Sequence, residues 1–200
     1  FVPDTHKFKD CAYFYFEMIY DPEKLPNIPA VSFKIKGKKV HDPRDEAAGD
    51  AWSDNPALII RDYITNTTYT TSGGGFSAAA NTCDQNVTLA DNSTTEKRYR
   101  SNGFTNMSAS GEGVLEALIS SCAGSITYTN GKFNLFVGAA QTASLTITDD
   151  DLLEAITVTT NDRGGDLFNA VKAMYVDSTN SYQPADTPID TNSTYLSNDT

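Results

Sequence analysis

The sequence predicts an α+β protein in which antiparallel strands are joined by a few short helices. Three observations lead there. Two stretches are built like strands: the aromatic run Tyr13–Tyr20, apolar on both alternating faces, and Val31, Phe33 and Ile35 alternating with Ser32, Lys34 and Lys36. Two others carry helix punctuation, at Asn55-Pro56 and at Ser110. Asn130-Gly131, set between apolar alternations, is a strong short-range hairpin signal.

Taken in order, Tyr13–Tyr20 reads as a strand that must be covered on both sides, and Asp21-Pro22 through Pro29 as loop. The strand from Val31 ends at Gly37. Pro56–Thr65 is a helix, since Asp54 or Asn55 can accept from the first free amides and Pro56 at the first position loses nothing by lacking its own. Asn66–Gly75 reads as loop, with Gly73-Gly74-Gly75 a flexible connector. Phe76, Ala79, Ala80 and Cys83 recur at helical spacing. Asp91–Glu96 is turn-like and Tyr99–Phe104 weakly strand-like. Gly111–Ala123 is the clearest helix: Ser110 caps it, Glu112 sits in its positive first turn, and Val114, Leu115, Leu118, Ile119 and Cys122 form one stripe before the stop at Gly124. Ile126–Tyr128 and Phe133–Val137 make the hairpin, with Ile126 and Tyr128 facing Phe133, Leu135 and Val137. Leu145–Ile147 and Ile156–Thr159 are further strands. Leu167–Val176 suits a helix or a strand, and the tail from Asp177 is extended.

Composition narrows the function classes. The chain has 200 residues and a net charge of −11, which argues against a grip on nucleic acid, because phosphate binding needs clustered bases. Its basic cluster, Lys34, Lys36, Lys38 and Lys39, alternates with apolar residues and reads as the wet face of a strand. The three cysteines, Cys11, Cys83 and Cys122, form neither an even framework nor a CxxC pair; Cys83 and Cys122 fall on apolar helix stripes, where a thiol packs as a small hydrophobe. No apolar stretch is long enough for a membrane span and no signal peptide is visible. The opening at Phe1-Val2-Pro3, without an initiator Met, reads as a piece of a longer protein.

Candidate chemistry is sparse, and no catalytic, cofactor-binding or metal-binding residue is assigned. His6 and His41 lie in no metal or nucleophile spacing, and His41, before Asp42-Pro43, reads as a solvated turn residue. Asp149-Asp150-Asp151 directly precedes Leu152-Leu153-Glu154, so an N-cap and first-turn acids explain it better than a cation loop does. The triple glycine lacks the Lys-Ser/Thr of a phosphate loop. Glu112 and Glu116 lie one turn apart on the polar side of an amphipathic helix, and neither they nor Glu154 are marked as an acid–base pair. The Asn-x-Ser/Thr sequons at Asn66, Asn86, Asn92, Asn106, Asn192 and Asn198 read as products of an Asn-, Ser- and Thr-rich composition.

One pairing carries more. Gly37-Lys38-Lys39-Val40-His41-Asp42-Pro43-Arg44 is followed closely by Ser53-Asp54-Asn55-Pro56-Ala57-Leu58 and Asp62-Tyr63-Ile64. This pattern resembles the tail tip attachment proteins (protein J-like, central tail hub proteins) of long non-contractile-tailed phages. The resemblance continues, in the same order, through Ala12–Asp21 and Ile28–Ser32 before it and through Ala79–Asp84, Leu115–Gly124, Asn130–Phe133, Asp166–Val171 and Tyr182–Asp186 after it.

The resemblance implies an antiparallel β-rich hub domain, barrel- or sandwich-like, in a ring-shaped trimer at the distal end of the tail tube. It implies a strand for Leu167–Val176. Residues 1–46 would be the first part of that domain and 157–200 its returning strands and extended tail. Residues 47–156 would be an α+β domain with helices near 56–65, 76–84 and 111–123 and a hairpin at 126–137. The implied role is structural and non-enzymatic, in host attachment and DNA ejection, without a cofactor. Its partners would be two further copies, other tail tip and tail tube proteins, and a host receptor met through regions outside this chain. The location would be the virion, assembled in the host cytoplasm. The oligomer interface candidates are Tyr13, Phe14, Tyr15, Phe16, Met18 and Tyr20. An extracellular adhesin or carbohydrate-binding β-domain, and a tail-associated hydrolase, are the alternatives.

Overall fold

A computed structural model describes residues 13–19, 21–24, 27–67, 69–89, 93–106, 108–143, 145–154, 157 and 168–198. Its contacts divide the chain into two compact units, Phe1–Lys38 and Lys39–Thr200. Among the described residues the fold is mixed α+β: short helices and five two-stranded antiparallel pairs.

Among the described residues of the first unit the expected strands are not formed. Residues 13–19 and 31–36 carry no strand, although Phe14 and Phe33 stack at 4.1 Å with their rings 9° apart. Alternation specifies which side chains share a face; it does not by itself set a backbone ladder in register. Tyr20 lies outside the described residues, as do Cys11 and His6.

The second unit opens with β1 (Lys39–Val40) paired to β2 (Ala51–Trp52). Helix α1 spans Pro56–Thr65 as expected, with Asn55 as its cap. It buries Ala57, Leu58, Ile60 and Ile64. Three of its ten residues are isoleucine, a middling helix former, so burial of this face and not propensity holds it. Helix α2 runs from Gly73 to Asp84, so the triple glycine is its first turn and not a connector. Two contacts override the glycines' low propensity: the Ser72 hydroxyl accepts from Gly75 N at 3.3 Å, and Ser72 N donates to Phe133 O at 2.8 Å. β3 (Asn86–Thr88) pairs with β4 (Thr95–Lys97), which takes Thr95 and Glu96 out of the expected turn.

Tyr99–Phe104 forms no strand. Tyr99 N donates to Cys83 O at 3.2 Å and its hydroxyl to Gly138 O at 2.6 Å, so this stretch is tied to two separate elements. Helix α3 covers Gly111–Ser120, capped by Ser110, and ends three residues before the expected Ala123. Its end is a Schellman turn: Gly124 N donates to Ile119 O and Ala123 N to Ser120 O, each at 3.1 Å. Ala123, at φ 46°, holds the left-handed position that Gly124 was expected to take. Gly124 serves close packing instead, since a Cβ there would stand 2.9 Å from Phe136 O.

The hairpin forms as the Asn-Gly signal requires. β5 (Ser125–Thr129) and β6 (Lys132–Phe136) pair in register Ile126↔Leu135 and Tyr128↔Phe133, with Asn130 at φ 52° and Gly131 at φ 75°. Of the expected inward set, Leu135 and Val137 are buried, Ile126 and Phe133 half-buried, and Tyr128 exposed. The core joins Val40, α1, α2, Cys122 and β6 around Phe76, which is fully buried.

Beyond the hairpin, Leu145–Ile147 carries no strand, and Asp149–Asp151 is a 3-10 turn and not the start of a helix. Asp151 reaches back to accept from Thr148 N and Oγ1, both at 2.9 Å. Of the strand expected over 156–159 only residue 157 is described, and Leu167 and Asp162–Asp166 lie outside the described residues. The described part of Leu167–Val176 holds two short strands and no helix: β7 (Ala170–Val171) pairs with β10 (Asp190–Thr191), and β8 (Met174–Asp177) with β9 (Gln183–Asp186). A final short helix, α4, spans Ser193–Asn198.

Candidate functional site

Residues from three of the segments that carry the resemblance meet at a charged joint in the second unit. The joint is built on the C-terminus of α2, where Asp84 sits unfavourably at the negative end of the helix and needs cations beside it. The turn after β1 supplies the first. Arg44 Nε donates to Asp42 Oδ1 at 2.9 Å and its Nη2 to Asp42 Oδ2 at 2.6 Å, while Nη1 reaches Asp84 Oδ2 at 2.8 Å and Asn81 Oδ1 at 3.1 Å. β4 supplies the second: Lys97 Nζ lies 2.8 Å from Asp84 Oδ1 and 3.6 Å from Asp54 Oδ1. Arg100 Nε closes the set at 3.8 Å from Asp54 Oδ2.

Beneath these charges lies Asn55, 1% exposed, a buried polar residue in the core. Its Oδ1 accepts from Ala57 N at 3.0 Å and its Nδ2 donates to Ala80 O at 2.9 Å. One side chain therefore caps α1 and ties it to α2. Ser101 N donates to Asp54 O at 2.8 Å, which fastens the next loop to the same point.

The electrostatics follow the geometry. Hydrogen bonding to Arg44 holds the Asp42 carboxyl below its usual range and raises the guanidinium in turn. Burial alone would raise Asp84; hydrogen bonds from Lys97 and Arg44 overcome that and leave it lowered. Asp84 in turn raises Lys97. With three carboxylates facing three cations, Asp42 and Asp84 in close ion pairs at 2.6–2.8 Å and Asp54 in looser ones at 3.6–3.8 Å, the arrangement suits a rigid strut. A general acid or base would need a group poised near neutral pH.

His41 lies outside the joint, with Nε2 3.6 Å from Glu46 Oε2 and Nδ1 3.7 Å from Asp50 Oδ1. Glu112 and Glu116 are exposed on α3. Among the described residues no three His, Cys, Asp or Glu side chains are placed to hold a metal ion. Cys83 and Cys122 are free and fully buried, and burial pushes the Cys83 thiol up to about 11 and Cys122 in the same direction. Among the described residues no helix is long and apolar enough to cross a membrane.

The interface candidates sit in the first unit, away from this joint in sequence. Tyr13, Phe14, Tyr15 and Phe16 are exposed by 62%, 56%, 68% and 56%, and Met18 is half-buried. Tyr15 Oη donates to Glu17 Oε2 at 3.4 Å. Sequence reasoning missed the joint. The usable signal was that each of three segments pairs a carboxylate with a second polar group: Asp42 and Arg44, Asp54 and Asn55, Asn81 and Asp84. No protein-family model and no curated protein matches the chain.

Proposed function

We propose that the chain is a structural, non-enzymatic segment of a phage tail tip hub, part of a ring that closes the tail tube and takes part in host attachment and DNA ejection. The observation that carries this reading is the joint. The segments Gly37–Arg44, Ser53–Thr65 and Ala79–Asp84, three of those that carry the resemblance, are separate in sequence yet interlock through Arg44, Asp84 and Asn55. Residues that recur together for a structural reason would be expected to touch, and these do.

In this reading residues 1–46 and 157–200 belong to one barrel- or sandwich-like hub domain, and the ring is a homotrimer. The exposed aromatics Tyr13–Phe16 supply subunit contacts, as contiguous apolar surface of this kind does elsewhere. Tail tube and other tail tip proteins are the neighbours, and the host receptor is met outside this chain. The net charge of −11 suits a passage that lets DNA through without holding it.

Gold-labelled antibody raised against the chain tests the reading. It is expected to decorate the distal tail end of long non-contractile-tailed particles. Label on the capsid, or label on no particle together with release of reducing sugar from a polysaccharide, overturns it.

A further inference from the structure

The second unit carries an exposed aromatic cluster at the turn end of the β5–β6 hairpin. Tyr128 and Phe133 are cross-strand partners, with ring centroids 4.8 Å apart and planes tilted by 54°, and Tyr69 meets Phe133 at 5.5 Å and 90°. Neither pair is stacked flat. Tyr69 and Tyr128 stay 57% and 61% exposed, while Phe133 packs against the core. The backbone around the cluster is already fixed. Phe133 N donates to Thr70 O at 3.0 Å, Ser72 N to Phe133 O at 2.8 Å, and the Thr70 hydroxyl to Gly131 O at 2.6 Å. A cluster held in this way needs little ordering when something binds. Its surroundings in the chain are polar but uncharged: residues 63–83, 117–131 and 133–148 contain no charged residue, although 20% of the chain is charged. Lys132, which interrupts them, is out of phase with Phe133 and falls on the other face of β6. Among the described residues no hydrogen bond occupies the phenol hydroxyl of Tyr69 or Tyr128.

We propose that this cluster binds a neutral glycan, with hexose rings laid on Tyr69 and Tyr128. One face of a hexopyranose is a patch of weakly positive C–H groups, which settles on the negative face of an aromatic ring. The sugar hydroxyls need partners without formal charge, and the two phenols, Thr70, Thr71 and Asn130 are such groups. An anionic ligand is disfavoured by the uncharged segments and by the net charge of −11. A protein partner is disfavoured by size. Three rings, two of them little more than half exposed, offer on the order of 300 Å², against roughly 800 Å² per side in a stable protein interface. The segments that form the cluster hold no carboxylate, so the glycan is bound and not cut. The contact is additional to the receptor met outside this chain, and it does not depend on the tail tip reading.

The test is isothermal titration calorimetry of the whole chain with maltohexaose, with cellohexaose and, as the anionic counterpart, with hexagalacturonate. At least one neutral hexamer is expected to bind with a Kd on the order of 1 mM or below, and hexagalacturonate about tenfold more weakly or worse. Tyr69→Ala and Tyr128→Ala are each expected to weaken the neutral hexamer at least about fivefold, while Tyr69→Phe, which keeps the ring, stays within about threefold of wild type. Tyr69 lies outside every helix and strand, so its replacement leaves the hairpin ladder intact. Phe104→Ala removes a ring that is 97% exposed outside the cluster and should leave binding unchanged. Circular dichroism of each variant checks that it is folded. No binding of either neutral hexamer, or hexagalacturonate bound as tightly, overturns the proposal. So does unchanged binding in folded Tyr69→Ala, or an equal loss in Phe104→Ala. A lower oligomer mass for Tyr69→Ala by light scattering would assign the cluster to a second copy and also overturn it. Antibody labelling of the tail tip is untouched by any of these failures, so the two readings fail separately.

Discussion

Replacing Asn55 separates two jobs done by one side chain. In Asn55→Ala the cap on Ala57 N is lost, which costs ~1 kcal/mol by the usual N-cap scale. The donor to Ala80 O is lost as well, and Ala80 is fully buried, so no water replaces it; that adds about 1–3 kcal/mol. The expected total is about 2–4 kcal/mol. At 2–4 °C per kcal/mol for a chain of this size, the melting temperature should fall by roughly 4–16 °C. Asn55→Ser keeps a good capping oxygen but is too short to reach Ala80, so it should lose about 1–3 kcal/mol and sit between the alanine variant and the wild type. Urea unfolding at pH 7, followed by helix signal and by intrinsic fluorescence, measures both variants. If Asn55→Ala costs less than ~1 kcal/mol, or Asn55→Ser costs as much as Asn55→Ala, the double role is refuted.

Other outcomes follow from the same geometry. Asp42 and Asp84 have lowered pKa values in the folded state, so the stability they add is present above the unfolded carboxylate range and lost as pH falls below about 4; urea midpoints should drop there, and Asp84→Asn should flatten that acid limb. Ala123→Gly should stabilise by roughly 0.5–1 kcal/mol by relieving a left-handed alanine, read as a higher melting temperature. Gly138→Ala should cost about 1–3 kcal/mol, because its Cβ would stand 2.7 Å from Ala123 O and 2.8 Å from Ala123 Cβ. Cys83 and Cys122 should resist thiol reagents until the chain unfolds, and Cys122→Ala should cost about 1 kcal/mol or more without altering metal content; a Cys83–Cys122 bond found by non-reducing mass spectrometry would contradict this.

What was legible in the sequence was what neighbours in the chain decide. Asn55-Pro56 sets the start of α1 and Asn130-Gly131 sets the hairpin, because a cap and a tight turn each need only a few adjacent residues. The misreadings fall where a distant partner decides. Gly73-Gly74-Gly75 is helical because Ser72 is pinned to Phe133 across the fold, and no local rule could supply that. Tyr99 leaves the strand pattern because its hydroxyl finds Gly138. The charged joint was missed for the same reason: the paired polar residues could be seen in each segment, but not that Arg44 meets Asp84 forty positions away.

The same distinction explains where apolar surface remains. Between Val40 and Val137 each helix has its own capping side chain, Asn55, Ser72 or Ser110, and the hairpin has its turn, so these elements can form and bury faces against one another. Outside that span, Tyr13–Phe16, Val31–Ile35, Leu145, Ile147, Met174 and Val176 repeat apolar residues but stay exposed. A two-stranded ribbon such as β8–β9 is marginal alone and gains stability from a third strand or a covering surface. Exposed alternation before and after this span in the sequence is the surface on which the proposed assembly would have to complete those strands.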